Sequence, residues 1–527
     1  MGTPSTHTAR RRGLAILTLL AAVLSANAAE ATGVGIGLPN PSDPTSVARG
    51  ATLARTYCVT CHLFPEPEAL DRATWFQQIL PRMKYRLGFS TAELDQSANI
   101  RLLREHRRIP DQPVVTESQW LDIAAYFLAK APEQAPPQEA PPPITVGVPG
   151  FRVVVPPMSL PQPAITAIRI LPGGGALVAD ANARSVAVVG RDGEALQGIG
   201  VNNVVSSFRP FPQGMLTGGL GSFLPSDAPD GSVFWMDRPS AGVWRRTTNV
   251  IAQLPRTTDA NAADLNGDGR TDYVVSCFGN NLGRLDWWEA GPDGALRSHE
   301  LFGLPGTLRT EIADFNGDGH PDIAALVAQE TEALFLFLGN GRGGFERRTV
   351  LQRPPYWGHS HFEVADFNQD GRKDFLVTNG DNGEFSSPSK RCHSVRIYLA
   401  QPDVTWKESY VFPMYGAYST LARDFDGDGD ADIAAISFFA DYQKAPRASF
   451  VFLRHEGAMR FSASTFAESA TGRWLAMDAG DFDGDGDEDL LLGSHIKGPT
   501  PVPDFLMETW EELRRPLLLL ENTRRKP

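Results

Sequence analysis

The sequence predicts a multidomain protein, a small all-α domain followed by an all-β seven-bladed propeller, and three observations predict it. A nine-residue acidic pattern starts at Asp264, Asp314, Asp366, Asp424 and Asp481, so that successive copies lie 50, 52, 58 and 57 residues apart. A period of that size implies one supersecondary unit per repeat, and each period holds about four strand-like apolar runs, the make-up of a propeller blade. Ahead of these repeats, across a proline-rich stretch, lies a Cys-x-x-Cys-His motif flanked by helical patterns.

The acidic pattern explains the blades. Positions 1, 3, 5 and 9 offer carboxylate or amide oxygens, and position 6 is glycine, as a tight loop wrapping hard oxygen ligands around Ca²⁺ requires. The candidate calcium ligands are Asp264, Asn266, Asp268 and Asp272 in the first copy, then Asp314, Asn316, Asp318 and Asp322 in the second. The third offers Asp366, Asn368, Asp370 and Asp374, the fourth Asp424, Asp426, Asp428 and Asp432, the fifth Asp481, Asp483, Asp485 and Asp489. These are not EF-hands: position 12, which should be a bidentate Glu, is Val275, Ala325, Val377, Ala435 or Leu492. Each ninth-position Asp leads into an apolar run such as Ile323-Ala324-Ala325, which reads as a short buried strand.

The run Ala313 to Asp322 and its sisters resemble the FG-GAP/VCBS repeats of integrin-α-type β-propellers over residues 258 to 527. The third copy departs from that pattern at Gln369, where glycine is usual, yet keeps all its side-chain ligand positions.

Residues 150 to 256 lack the loop but keep the strand rhythm. Runs at Ala167, Ala176, Ser185 and near Ala195 make one blade; Val204 to Phe208, Met215, Val233 and Val243 to Arg246 make the next. With five loop-bearing blades the total is seven, over residues 150–527. The last repeat ends after its third strand, so Phe151 to Val155 is the expected fourth, closing the ring and removing exposed sheet edges.

The 527 residues are 42% hydrophobic with net charge −13, enough to bury sizeable cores and too acidic to favour nucleic acid as a partner. Residues 1–28 read as an export signal: Arg10 to Arg12, an apolar core from Leu14 to Leu24, and Ala26-Asn27-Ala28 as a cleavage site. That core is about half the roughly 20 residues a membrane span needs, and no other stretch is long and apolar enough. The expectation is a periplasmic or otherwise exported protein with no transmembrane segment after cleavage, in a compartment where calcium loops of weak affinity fill.

Cys58-Val59-Thr60-Cys61-His62 is the signature of covalent haem c attachment, with Cys58 and Cys61 as thioethers and His62 as proximal iron ligand. A zinc site would want a second ligand pair, and the next cysteine is Cys277. Helices are expected over Val47 to Tyr57 and over Thr116 to Lys130, the latter with Thr116 as N-cap. This segment, residues 45–131, resembles a class I cytochrome c domain, whose first and last helices cross to cradle the haem. Met83 is the candidate distal ligand and His106 its rival. Residues 132–149 form the proline-rich linker, expected to hold the domains apart without fixing their orientation.

On the propeller, the positions seven and five residues before each loop pair Thr257 with Asp259, Thr307 with Arg309, His359 with His361, Ala417 with Ser419 and Trp474 with Ala476. His393 and His495 are expected to join His359 and His361 on one face as a metal or proton-transfer site, with solvated loop histidines as the alternative. Cys277 and Cys392 fall in different blades, which disfavours a bond between them.

The function these features imply is exported electron transfer through one haem c. The calcium-stapled propeller would recognise a redox partner protein or a carbohydrate or protein ligand, and the whole resembles exported bacterial cytochrome c proteins fused to VCBS-type repeats. Two other classes stay open: an oxidoreductase whose propeller oxidises a sugar or polyol and passes electrons to the haem, and an adhesin-like binding module.

Overall fold

The structure, a computed structural model, describes residues 39–90, 98–239, 243–383 and 390–524. The export signal read at residues 1–28 lies outside the described residues. Among them no helix is long and apolar enough to cross a membrane.

The N-terminal domain is helical. Asp43 caps a helix over Pro44–Tyr57, and a capping box of Thr116 and Gln119 opens another over Glu117–Lys130. The two cross at Gly50, where a Cβ would overlap the Asp122 carbonyl; glycine is what lets the backbones approach so closely. Asp122 seals the crossing, accepting from Ser46 Oγ at 2.5 Å and from Arg49 Nε at 2.7 Å. Between them run Arg72–Thr74, a π-helical turn over Trp75–Ile79, then Leu80–Arg86 and, further on, Ala98–Glu105. Trp75, Trp120 and Phe127 fill the centre of this domain.

The rest of the chain forms seven sheets, each built on four antiparallel strands and one of them carrying a fifth, a seven-bladed β-propeller. Blade one is Ile165–Ile170, Ala176–Asp180, Ser185–Val189 and Ala195–Gly200. Blade two runs from Val205–Phe211 to an outer strand over Arg245–Leu254, longer and later than the Val243 to Arg246 expected, because three register shifts let it keep pairing with Gly231–Asp237. The innermost strands of blades three to seven are Thr257–Ala263, Thr307–Ala313, His359–Ala365, Ala417–Arg423 and Trp474–Gly480. Phe151–Val154 pairs antiparallel with Leu517–Asn522 and closes blade seven, joining the two ends of the ring as the sequence predicts.

Each innermost strand carries the same irregularity near its start: the register slips between residues such as Ile165 and Ala167, Val205 and Ser207, or His359 and His361, in all seven blades. The acidic loops sit at the far end of these strands. The opposite face is built from the turns joining second to third strands and from the crossings between blades.

The linker differs from expectation. Ile144–Val146 pairs in parallel with Phe461–Thr465 as a fifth strand on blade six, and Gln138 Nε2 donates to the His393 carbonyl at 2.5 Å. The helical domain rests on the face opposite the acidic loops: Arg86 meets Glu330 at 2.8 Å and Asn281 at 3.3 Å, and Tyr356 packs against the helical core. The tether is therefore anchored along its length and not a free spacer.

Candidate functional site

The Cys58 to His62 segment follows directly from the first helix, as a 3₁₀ turn over Cys58–Thr60. Cys58 is half-buried against the helical core, and Cys61 is exposed. Burial, with the Cys61 thiol beside it, pushes the Cys58 thiol up to about 11. His62 Nδ1 lies 2.9 Å from the Leu63 carbonyl; since a carbonyl only accepts, Nδ1 is the donor, and in the neutral ring Nε2 is the nitrogen with the lone pair. Val59 and Leu63, on either side of Cys61, are exposed large apolar side chains. Met83 packs against the same core as Cys58, whereas His106 is exposed and outside it.

The five acidic loops share a skeleton. The position-4 residue is left-handed in all: Gly267, Gly317, Gly427 and Gly484 have φ between 75° and 87°, and Gln369 takes φ 57°. That non-glycine is held across blades, its amide donating to Gly429 O at 3.0 Å and Asp430 Oδ1 at 2.8 Å. The position-1 carboxylate accepts N–H groups from its own loop: Asp264 from Gly267, Asp268 and Gly269, and Asp314 from the equivalent three. The position-9 aspartates Asp272, Asp322, Asp374, Asp432 and Asp489 are fully buried. Each ties its loop to the third strand: Asp489 accepts from Phe482 N at 2.9 Å and Asn522 N at 2.8 Å, and Asp272 from Leu265 N at 3.1 Å and Ala290 N at 2.9 Å.

The loops differ in charge at position 7. Arg270 and Arg372 fold back onto the position-5 carboxylates Asp268 and Asp370. In blades six and seven the residue is Asp430 or Asp487. Among the described residues, Asp424, Asp426 and Asp428, and Asp481, Asp483 and Asp485, each bring three carboxylates within 4.8 Å of one another. Asp426 is also approached by Arg454 at 2.7 Å and Arg524 at 3.1 Å. In blade seven Asp487 is 7% exposed, with Oδ1 lacking any hydrogen-bond partner.

The central channel is lined by opposed charges. Arg209 bridges Asp259 at 2.8 Å and Glu311 at 2.7 Å, and Arg309 reaches the same Glu311 oxygen at 2.7 Å. Two guanidinium groups outweigh burial and hold Glu311 down at about 2. One blade further on, Glu363 faces Arg423 at 3.5 Å, and there burial wins and the carboxyl is raised.

The four histidines do not assemble into one site. His359 sits against the Asn379 amide and gives its backbone N–H to Glu332. His361 lies across the register slip, near Arg309 and Arg209, so the two side chains two residues apart meet different neighbours. His393 Nδ1 accepts from Gly416 N at 3.2 Å, which places its proton on Nε2 and removes the lone pair a metal would use there. His495 stacks on Phe223 of blade two at 4.2 Å. Burial keeps all four neutral, His359 at about 3 and His495 at about 4. Among the described residues, no group able to hold a metal contains a histidine. Cys277 and Cys392 are separate free thiols, the latter against the Tyr356 and Trp357 carbonyls.

A family model described as an FG-GAP-like repeat matches residues 264–325, 314–377 and 424–492, so the chain carries FG-GAP-like repeats. No curated protein matches the chain. Among solved structures it is similar to BBS1N in a crystal with ARL6DN, at TM-score 0.43 and 9% identity, covering 72% of this chain and 98% of that one.

Proposed function

We propose that the protein is an exported, haem-bearing electron-transfer protein whose propeller serves as a recognition module. The observation that carries the redox half is the Cys58 to His62 motif, placed at the end of a helix that crosses Glu117–Lys130 at Gly50. The local chemistry fits a porphyrin: two thiols with no partner sulfur, an imidazole whose Nε2 is left with its lone pair, and exposed Val59 and Leu63 that a flat apolar group would cover. Cys58 and Cys61 would hold the group by thioethers, His62 and Met83 by its iron; Met83 is favoured over His106 because it shares the core that Cys58 faces. Haem c, when bound, supplies a one-electron iron couple. The Leu63 carbonyl holds the His62 ring orientation, and the Trp75, Trp120 and Phe127 core keeps water from that side.

The second cofactor of this reading is calcium, in up to five loops. The position-1, -3 and -5 oxygens would take it, while position 9, expected as a fourth ligand, is a carboxylate that in Asp272 and Asp489 already accepts two backbone N–H groups; the ion would neutralise carboxylates that otherwise repel. Its role is stapling each first-to-second-strand connection. The repeats and the fold support the propeller as a binding surface.

The deciding experiment is to mature the protein in a bacterial host competent for c-type cytochrome assembly and record absorption spectra in both redox states. The expected result is a covalent haem that survives denaturing electrophoresis and is lost in Cys58→Ala with Cys61→Ala. A colourless product from that host would overturn the redox assignment.

A further inference from the structure

We propose that the partner recognised by the propeller face at blades three to five is the chain's own helical domain, so that the redox module is held in one orientation over that face. The inference deepens the reading of the propeller as a recognition module and rests on it, but not on the haem.

The face is shaped in advance. Asp227, from the turn between the second and third strands of blade two, reaches over blade three and accepts N–H groups from Asn280, Asn281 and Leu282 at 2.7–2.9 Å, plus the Asn281 side-chain amide at 2.9 Å. With its Nδ2 held, Asn281 is left with Oδ1 as an acceptor, and Arg86 takes it at 3.3 Å. Gln329 braces the neighbouring turn by donating to the Asn280 carbonyl at 2.8 Å, which sets Glu330 beside it to meet Arg86 at 2.8 Å. The two partners of that ion pair are only 23% and 30% exposed, so solvent screens it less than a surface pair.

Two further contacts are independent of Arg86. Arg108, beyond the Ala98–Glu105 helix, donates to the Gly303 carbonyl at 2.6 Å. Tyr356 packs against the helical core, and its loop is stiffened by Trp357, which lies between the Arg353 and Arg396 guanidinium groups at 4.7 and 4.9 Å. The tether completes the arrangement. Gln138 on the His393 carbonyl and Ile144–Val146 on blade six shorten the free linker, and a short anchored tether raises the effective concentration of the docked state. Cations on the helical side thus meet the Glu330 carboxylate and the Asn281 side-chain oxygen, both set by the propeller's own hydrogen bonds, and the Gly303 carbonyl, which is how a recognition surface is built.

Hydrogen exchange on the full-length protein tests this. Arg86→Glu should speed exchange in segments 278–283 and 354–358 by about tenfold, the effect of losing about one interaction of this kind. The charge swap Arg86→Glu with Glu330→Arg should restore the slow rates. Unchanged exchange in the single variant, or a double variant as fast as the single, would overturn the proposal. If Arg86→Glu instead loosened the Glu117–Lys130 helix itself, Tyr356→Ser on the propeller side carries the test: faster exchange in segment 83–89 supports docking, and unchanged exchange there refutes it. The haem spectrum of the same samples reports separately, so a failed docking with intact haem leaves the redox reading standing, and the reverse also holds.

Discussion

Blades three and seven carry the same nine-residue loop and balance its negative charge in opposite ways. In blade three Arg270 folds back onto Asp268 and gives Nε to the Ala290 carbonyl at 2.6 Å, so an internal cation occupies part of the loop. In blade seven the same position is Asp487, beside Asp481, Asp483 and Asp485, and no ion pair among the described residues reaches these four. The two loops nonetheless share the position-1 carboxylate on loop N–H groups and the position-9 carboxylate on one loop and one strand N–H group. The difference separates two jobs within one motif: positions 1 and 9 shape the chain, and positions 3, 5 and 7 set how much an external cation is needed.

The largest expected effect tests the shared part. Asp489→Ala and Asp272→Ala each leave two backbone N–H groups without their buried acceptor, which should cost about 3 kcal/mol. Urea unfolding should show similar losses in both variants, with or without calcium. A loss that appears only in blade seven, or only when calcium is present, would break the division between shaping and charge-setting positions.

The next effect concerns the ion. Calcium at roughly a hundredfold excess over its dissociation constant adds about 2.7 kcal/mol at a site absent from the unfolded chain. Asp485→Asn should remove most of that increment from blade seven, whereas Asp268→Asn should remove little in blade three, where Arg270 already serves. Thermal unfolding of each variant in calcium and in chelator measures the difference. Equal calcium dependence in the two would make the arginine irrelevant.

The same contrast shows what was legible in the residues. Loop spacing gave the blade count, and the missing last strand pointed to Phe151, because both follow from sequence periodicity and from the need to cover sheet edges. The helix start at Thr116 was legible for a local reason, a cap residue beside an apolar pattern, whereas the first helix begins at Pro44 behind the N-cap Asp43, three residues before the Val47 expected. The histidine face was not. Alternation along a strand predicts that His359 and His361 point the same way, and the slip between them, present in every blade, is a feature of strand pairing that no single side chain announces. The three-residue strand Ile144–Val146 was hidden because it is too short for any period and sits among prolines. The Arg86 contacts were hidden because their partners are 195 and 244 residues away in sequence.

The smallest effect is the most discriminating. Arg270 is 39% exposed and Asp268 23%, so their pair contributes at most about 1 kcal/mol, and Arg270→Gln should lower calcium-free stability by no more than that. Its second consequence has the opposite sign: with the internal cation gone, the Asp268 carboxylate is free to turn to an external one, and blade three should acquire the calcium dependence that blade seven has. Substituting Asp487→Arg makes the reverse change, placing a guanidinium where Asp487 now leaves an oxygen without a partner, and it should raise calcium-free stability while blunting the response to calcium. Calorimetric titration of the two variants beside the parent protein would then show calcium sites gained in one and lost in the other.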